Sequence, residues 1–155
     1  MPDRQHELTD LSEQAHAFFA SKHAARERAL DLSRTTTQLS ANAIRSVHRH
    51  QFNEARTLLE SARQCVADMK EIQQTHPDIY YAGFVQDAQK EYVEANTTLA
   101  FITGAPLPLP EDLGIAYAAY LNGLGEAIGE IRRYLLDSLR RNDPSRCEEL
   151  LDLMD

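Results

Sequence analysis

Residues 84–102 read FVQDAQKEYVEANTTLAFI. With Tyr81 ahead of them, Phe84, Ala88, Glu91, Ala95, Thr98 and Ile102 recur at alternating spacings of three and four, the period of an amphipathic helix and not of a strand. Breakers bound the stretch. His76-Pro77 precedes it, and the residue before a proline avoids the α region; Gly104, Pro106, Pro108 and Pro110 follow. Pro77 suits a first helical position and Asp78 the positive end of the helix dipole, so the pattern predicts one helix from Pro77 to about Phe101.

The same period extends in both directions. Leu8, Leu11, Ala15, Phe18, Lys22, Ala25, Ala29, Leu32, Thr36, Leu39 and Ala43 mark a long first helix whose heptad seam calls for lengthwise partners, either in the same chain or in another subunit. Phe52, Ala55, Leu59, Ala62, Val66 and Met69 mark a second. A further helix runs from about Glu111 through Tyr117, Tyr120, Leu124, Ile128, Ile131 and Leu135 to Arg141. A last one starts after Asn142-Asp143-Pro144 and carries Leu150, Leu151, Leu153 and Met154. No repeat or low-complexity tract interrupts them. The expected fold is all-α, an antiparallel bundle of long helices forming one domain over residues 1–155.

Composition agrees with that class. The 155 residues are 43% hydrophobic and 26% charged, lack tryptophan and contain 6 glycines and 6 prolines, which suits helices better than a sandwich or barrel. A net charge of -8 argues against coating nucleic acid by bulk positive charge, though a local basic patch still suffices to hold a phosphate backbone. Cys65 and Cys147, without CxxC spacing, read as packed thiols in a reducing compartment. With neither a signal-like segment nor a long apolar run, the expected location is cytoplasmic, with no membrane partner.

Glu91 occupies an apolar position of its stripe, and Glu94 stands nearly on the same face between the small residues Ala88 and Ala95. Glu126 and Glu130 lie one turn apart on the following helix, where Gly123, Gly125 and Gly129 would admit a close neighbour. Four acids are thus able to converge. Acids sharing a packed face repel and lose solvation unless a cation or protons compensate them, and carboxylate oxygens suit Mg²⁺ or Mn²⁺. Spacing alone leaves open the alternative of solvated helix glutamates, with Glu94 paired to Lys90 and Glu130 to Arg133. Arg132, Arg133, Arg140 and Arg141 form a candidate phosphate-binding surface on the same terms. Arg45, His48, Arg49 and His50 read as helix-end cations rather than metal ligands. The Gly123-x-Gly125-x-x-x-Gly129 run departs from dinucleotide-loop spacing and follows no strand.

Two blocks carry a family resemblance. His76-Pro77-Asp78-Ile79-Tyr80-Tyr81-Ala82-Gly83-Phe84, running into Lys90-Glu91-Tyr92-Val93-Glu94-Ala95, resembles the third-helix region of the translin family, nearest its translin-associated factor X (Trax) branch. The segment from Tyr120 to Arg133, with Leu139 and Asn142-Asp143, resembles a second family block. The resemblance implies a subunit of an all-helical homo-oligomer that binds RNA or single-stranded DNA, and for the Trax branch an Mg²⁺- or Mn²⁺-dependent endoribonuclease. It also implies that Glu91, Glu94 and Glu126 are the catalytic, metal-binding acids and that Glu130 has a supporting role. Translin itself lacks the first two acids. This sequence departs from the family in carrying glutamate at position 126, where an aspartate is usual, and the family's final helical region is expected to be missing from the 155 residues. Two other readings belong to different classes: a non-catalytic translin-like nucleic-acid binder, and an all-α nucleoside triphosphate pyrophosphatase with helical acids at ExxE-like spacing.

Overall fold

The computed structural model describes residues 4–155, and every regular element among them is a helix. α1 runs over Arg4–His48, α2 over Phe52–Thr75, α3 over Pro77–Tyr80, α4 over Gly83–Thr103, α5 over Pro110–Leu113, α6 over Tyr117–Arg140 and α7 over Cys147–Asp152. The all-α bundle of long helices is the expected class.

α1 continues for 45 residues because no glycine or proline interrupts it. It stops at His50, whose φ of 60° is left-handed; the Gln51 amide then closes back on the Ser46 carbonyl at 2.8 Å. That conformation costs a non-glycine residue about 1 kcal/mol. The His50 ring is held against it by Phe52, Tyr134 and an Arg141 guanidinium 2.8 Å away. Ala29, Ser33, Thr36, Ser40 and Ala43 form a buried seam of small residues along the second half of α1. Against this seam α2 packs antiparallel, with Arg28 bound to Glu71 at 2.9 Å and Ser33 beside Met69. The first half of α1 behaves differently, since Leu8, Leu11 and Phe18 of the expected seam lie exposed, as does Phe19.

Two expected helices are each broken near their start. Ala82 adopts an extended conformation with ψ 150°, so α3 is a single turn and Tyr81 turns out to solvent instead of joining the core. Gly114, at φ 67°, ends α5 after four residues, and α6 begins at Tyr117 rather than Glu111. α4 is the central helix and packs on α1, α2 and α6, which explains why it buries residues on several faces, Gln89, Thr97 and Thr98 included. Thr97 donates to the Val93 carbonyl and Gln89 to the Tyr80 hydroxyl, although the Gln89 Oε1 is buried with no hydrogen-bond partner.

Between α4 and α6 the chain travels back along the bundle, pinned where the Tyr120 hydroxyl donates to the Pro108 carbonyl at 2.9 Å. α6 consequently runs in the same sense as α4, not in simple alternation. Lys90 of α4 meets Glu126 of α6, and Phe101, further along α4, packs against the cluster of Ile131 and Leu135, further along α6. α7, which starts at Cys147, buries Leu150 in that cluster, and Arg146 caps the end of α4 by donating to the Phe101 and Ile102 carbonyls. Cys65 and Cys147 are free, partly buried thiols. No described helix is long and apolar enough to cross a membrane.

Candidate metal centre

The site begins with a missing side chain. A Cβ placed on Gly123 would lie 2.5 Å from the Lys90 carbonyl oxygen and 2.7 Å from the Val93 Cβ, so α4 and α6 touch backbone to backbone there. Gly125 and Gly129 have nothing within 4 Å of such an atom and do not contribute to the approach. One turn beyond Gly123, α6 presents Glu126 to the turn of α4 that carries Lys90, Glu91 and Glu94.

One carboxylate oxygen from each of Glu91, Glu94 and Glu126 lies within 4.8 Å of the others. Among the described residues this is the one such group of three acidic, histidine or cysteine side chains. Glu91 is not a core residue as its register suggests: its side chain is 30% exposed, although Ala88 and Ala95 beside it in the stripe are buried. Glu94 is the desolvated acid. Burial, then the charges of Glu91, Glu126 and Glu130, push its carboxyl up to about 7, with Lys90 opposing.

Lys90 does not pair with Glu94. Its ammonium lies 2.8 Å from Glu126 Oε1 and 3.7 Å from Glu91 Oε1, and the bond to Glu126 chiefly raises its own pKa. A cation therefore already bridges two of the three acids, and the third is left short of positive charge. Oxygens sharing one Mg²⁺ at about 2.1 Å can be no more than about 4.2 Å apart. Three ligands cannot all lie opposite one another, and adjacent octahedral oxygens are only about 3 Å apart, so the three side chains would have to draw together to share one ion. The hard, all-oxygen donor set fits Mg²⁺ or Mn²⁺.

Glu130 stands outside this group. His48 Nε2 contacts its carboxylate, and Arg133 approaches the same oxygen at 3.7 Å. Hydrogen bonding from His48 holds the Glu130 carboxyl below the usual range despite burial. The sequence offered no sign of this pairing, because 82 residues separate the partners and His48 reads as an ordinary helix-end cation. Lys90 as the bridge to Glu126 was equally hidden.

The four arginines occupy different settings. Arg133 pairs with Glu130, Arg140 with Asp137 at 3.1 Å, and Arg141 with His50. Arg132 is exposed and makes no ion pair among the described residues. Arg140 and Arg141 lie at the far end of α6, about 20 Å along the helix from Glu126.

Comparison with known proteins follows the same lines. No protein-family model matches the chain. An uncharacterized protein of Methanocaldococcus jannaschii is 26% identical over 140 residues; the alignment covers 89% of this chain and 62% of the relative, so the chain spans less than two thirds of that protein's length. The crystal structure of AfC3PO superposes with a TM-score of 0.84 at 31% identity, covering 91% of this chain and 73% of that one. AfC3PO in complex with duplex RNA gives 0.83 at the same identity, over 91% of this chain and 72% of that one. Apo-NeC3PO, at 23% identity and a TM-score of 0.81 over 97% of this chain and 75% of that one, shows the shared fold.

Fold and site together define a class of all-helical bundles with acids gathered where two helices cross. The chain belongs to the translin family.

Proposed function

We propose that this protein is an Mg²⁺- or Mn²⁺-dependent endoribonuclease of the Trax type, hydrolysing phosphodiester bonds of RNA with Glu91, Glu94 and Glu126 as the metal-holding acids. The observation that carries the reading is Glu94: a half-buried carboxylate, crowded by two others within 4.8 Å, is costly unless a cation is meant to join it. Bound there, the ion would supply an activated water and stabilise charge on the phosphate. The chain's own part is positional. Gly123 sets the helix spacing, Glu91 and Glu94 present oxygens from one turn of α4, and Glu126 closes the group from α6.

The nucleic-acid partner is proposed from the RNA-bound relative AfC3PO. Arg132 is the free phosphate-binding group on α6; Arg133, Arg140 and Arg141 would have to share their present partners. Binding should weaken as salt rises. The exposed residues Leu8, Leu11 and Phe18 support a homo-oligomer in which a second copy completes the α1 seam.

The test is cleavage of single-stranded RNA with and without Mg²⁺ or Mn²⁺ by the wild type, Glu91→Ala and Glu94→Ala. We expect metal-dependent cleavage that falls at least about a hundredfold in both variants. Equal rates in all three would remove the assignment. The bridging position of Lys90 favours one rival, a non-catalytic RNA binder in which lysine serves as the permanent counter-ion. Metal-independent RNA binding without cleavage would select it.

A further inference from the structure

Lys90 brings a positive charge to the same acids that the proposed cation would use. Its ammonium lies 2.8 Å from Glu126 Oε1 and 3.7 Å from Glu91 Oε1, so it ties α4 to α6 across the site. The lysine side chain is 23% exposed, less than Glu91 at 30% and Glu126 at 44%. Its main chain is fixed, because the Lys90 carbonyl oxygen lies where a Cβ on Gly123 would come within 2.5 Å. Only the side chain is free to move.

One ammonium is a poor match for three carboxylates. It reaches Glu91 and Glu126 and leaves Glu94 without a cationic partner. Lysine carries a compact, strongly hydrated charge on a flexible stem, and a partly exposed pair of this kind is held weakly. A divalent ion takes oxygens from all three acids at once. Two cations on the same carboxylates repel, so the ion and the ammonium compete for Glu91 and Glu126. Tethered one residue before Glu91, the displaced ammonium stays beside the site, where a phosphate drawn to the ion would meet it. Lysine binds phosphate as a point charge and needs no fixed geometry to do so.

We propose that Lys90 is a displaceable counter-ion: a divalent cation takes Glu91 and Glu126 from it, and the released ammonium holds an anionic oxygen of the substrate phosphate. Ion binding and substrate binding are thereby coupled through one side chain. The inference rests on the cation site and the RNA substrate proposed above, and it makes the lysine exchangeable where the non-catalytic rival makes it permanent.

The chain contains three lysines, Lys22, Lys70 and Lys90, so acylation read by mass spectrometry resolves each of them. Lys22 pairs with Asp78 and Lys70 lies against Gly114, and both act as internal references. We expect Mg²⁺ to raise Lys90 labelling about fivefold and to leave the other two unchanged. In calorimetry, Lys90→Met should bind Mn²⁺ about tenfold more tightly than wild type, whereas Lys90→Arg, which keeps the charge, should not. Anisotropy with a 2′-O-methyl RNA oligomer reads the second half of the exchange: Lys90→Met should weaken binding about fivefold in Mn²⁺ and less than about twofold in EDTA. Mn²⁺ binding with unchanged Lys90 labelling, or with wild-type affinity in Lys90→Met, would overturn the exchange and leave the cation site intact. A loss of RNA affinity as large in EDTA as in Mn²⁺ would overturn it as well. Absence of Mn²⁺ binding to the wild type, or binding unaffected by Glu94→Ala, would remove the site and the exchange together.

Discussion

The outer half of α1 and the crossing of α4 with α6 violate the hydrophobic pattern in opposite senses. At the first, the large apolar side chains of Leu8, Leu11, Phe18 and Phe19 stand exposed to water. At the second, Glu94 is drawn out of water between two packed helices and next to two other acids. Each violation has a cost, and each points to a component that one chain does not supply. Apolar surface calls for more apolar surface, here the proposed second copy. Crowded carboxylates call for positive charge, here the proposed ion.

The comparison can be broken most severely at Gly123. Gly123→Ala forces a methyl group into the α4 backbone and should destabilise the protein by about 3 kcal/mol, with Mn²⁺ binding lost alongside. Gly129→Ala on the same helix meets nothing within 4 Å and should instead stabilise it by up to about 1 kcal/mol. Chemical denaturation of the two variants checks both signs.

A smaller effect sharpens the electrostatic half. Because the Glu94 carboxyl is raised from 4.5 to about 7, the folded state loses stability as pH climbs through that window and the group is forced to ionise. Glu94→Gln should therefore be more stable than wild type by about 1–2 kcal/mol at pH 8, after allowance for partial exposure, and show no gain below pH 4.5. Thermal melts at the two pH values decide it, and equal behaviour would remove the crowding argument. Glu130 runs the other way. Its lowered carboxyl contributes stability that is present at neutral pH and lost as pH falls through its folded value.

The smallest change in stability belongs to α1. Leu11→Ser and Phe18→Ser alter side chains already exposed, so unfolding of the dilute, dissociated chain should shift by less than about 0.5 kcal/mol each. The same substitutions should lower the association state measured by light scattering. A large loss of stability without dissociation would show that the exposed face is completed within the chain.

Much of this architecture was legible as periodicity. The three-four spacing located each long helix, because a helix in a globular protein must bury one face. The breaks at Ala82 and Gly114 were less legible. Nothing in Tyr81-Ala82-Gly83 forbids a helix, and the chain bends there so that α4 can enter between α1, α2 and α6. Register misplaced Tyr81 because the helix breaks at Ala82, and it misplaced Glu91, which is partly exposed although Ala88 and Ala95 on either side of it in the stripe are buried. The glycines of α6 could not be ranked from sequence either, since only the crossing point decides which of them needs to lack a side chain.

By itself, the sequence determined an all-helical chain with unusual acids on two of its helices, since both follow from local spacing and from the chemistry of each side chain. The tertiary structure alone decided which acids meet. Glu91, Glu94 and Glu126 gather because α4 and α6 touch at Gly123, and Glu130 pairs with His48 because the end of α1 brings the histidine to it. Contacts between residues distant in sequence depend on the angle and depth of helix packing, which are settled by all the side chains at the interface together.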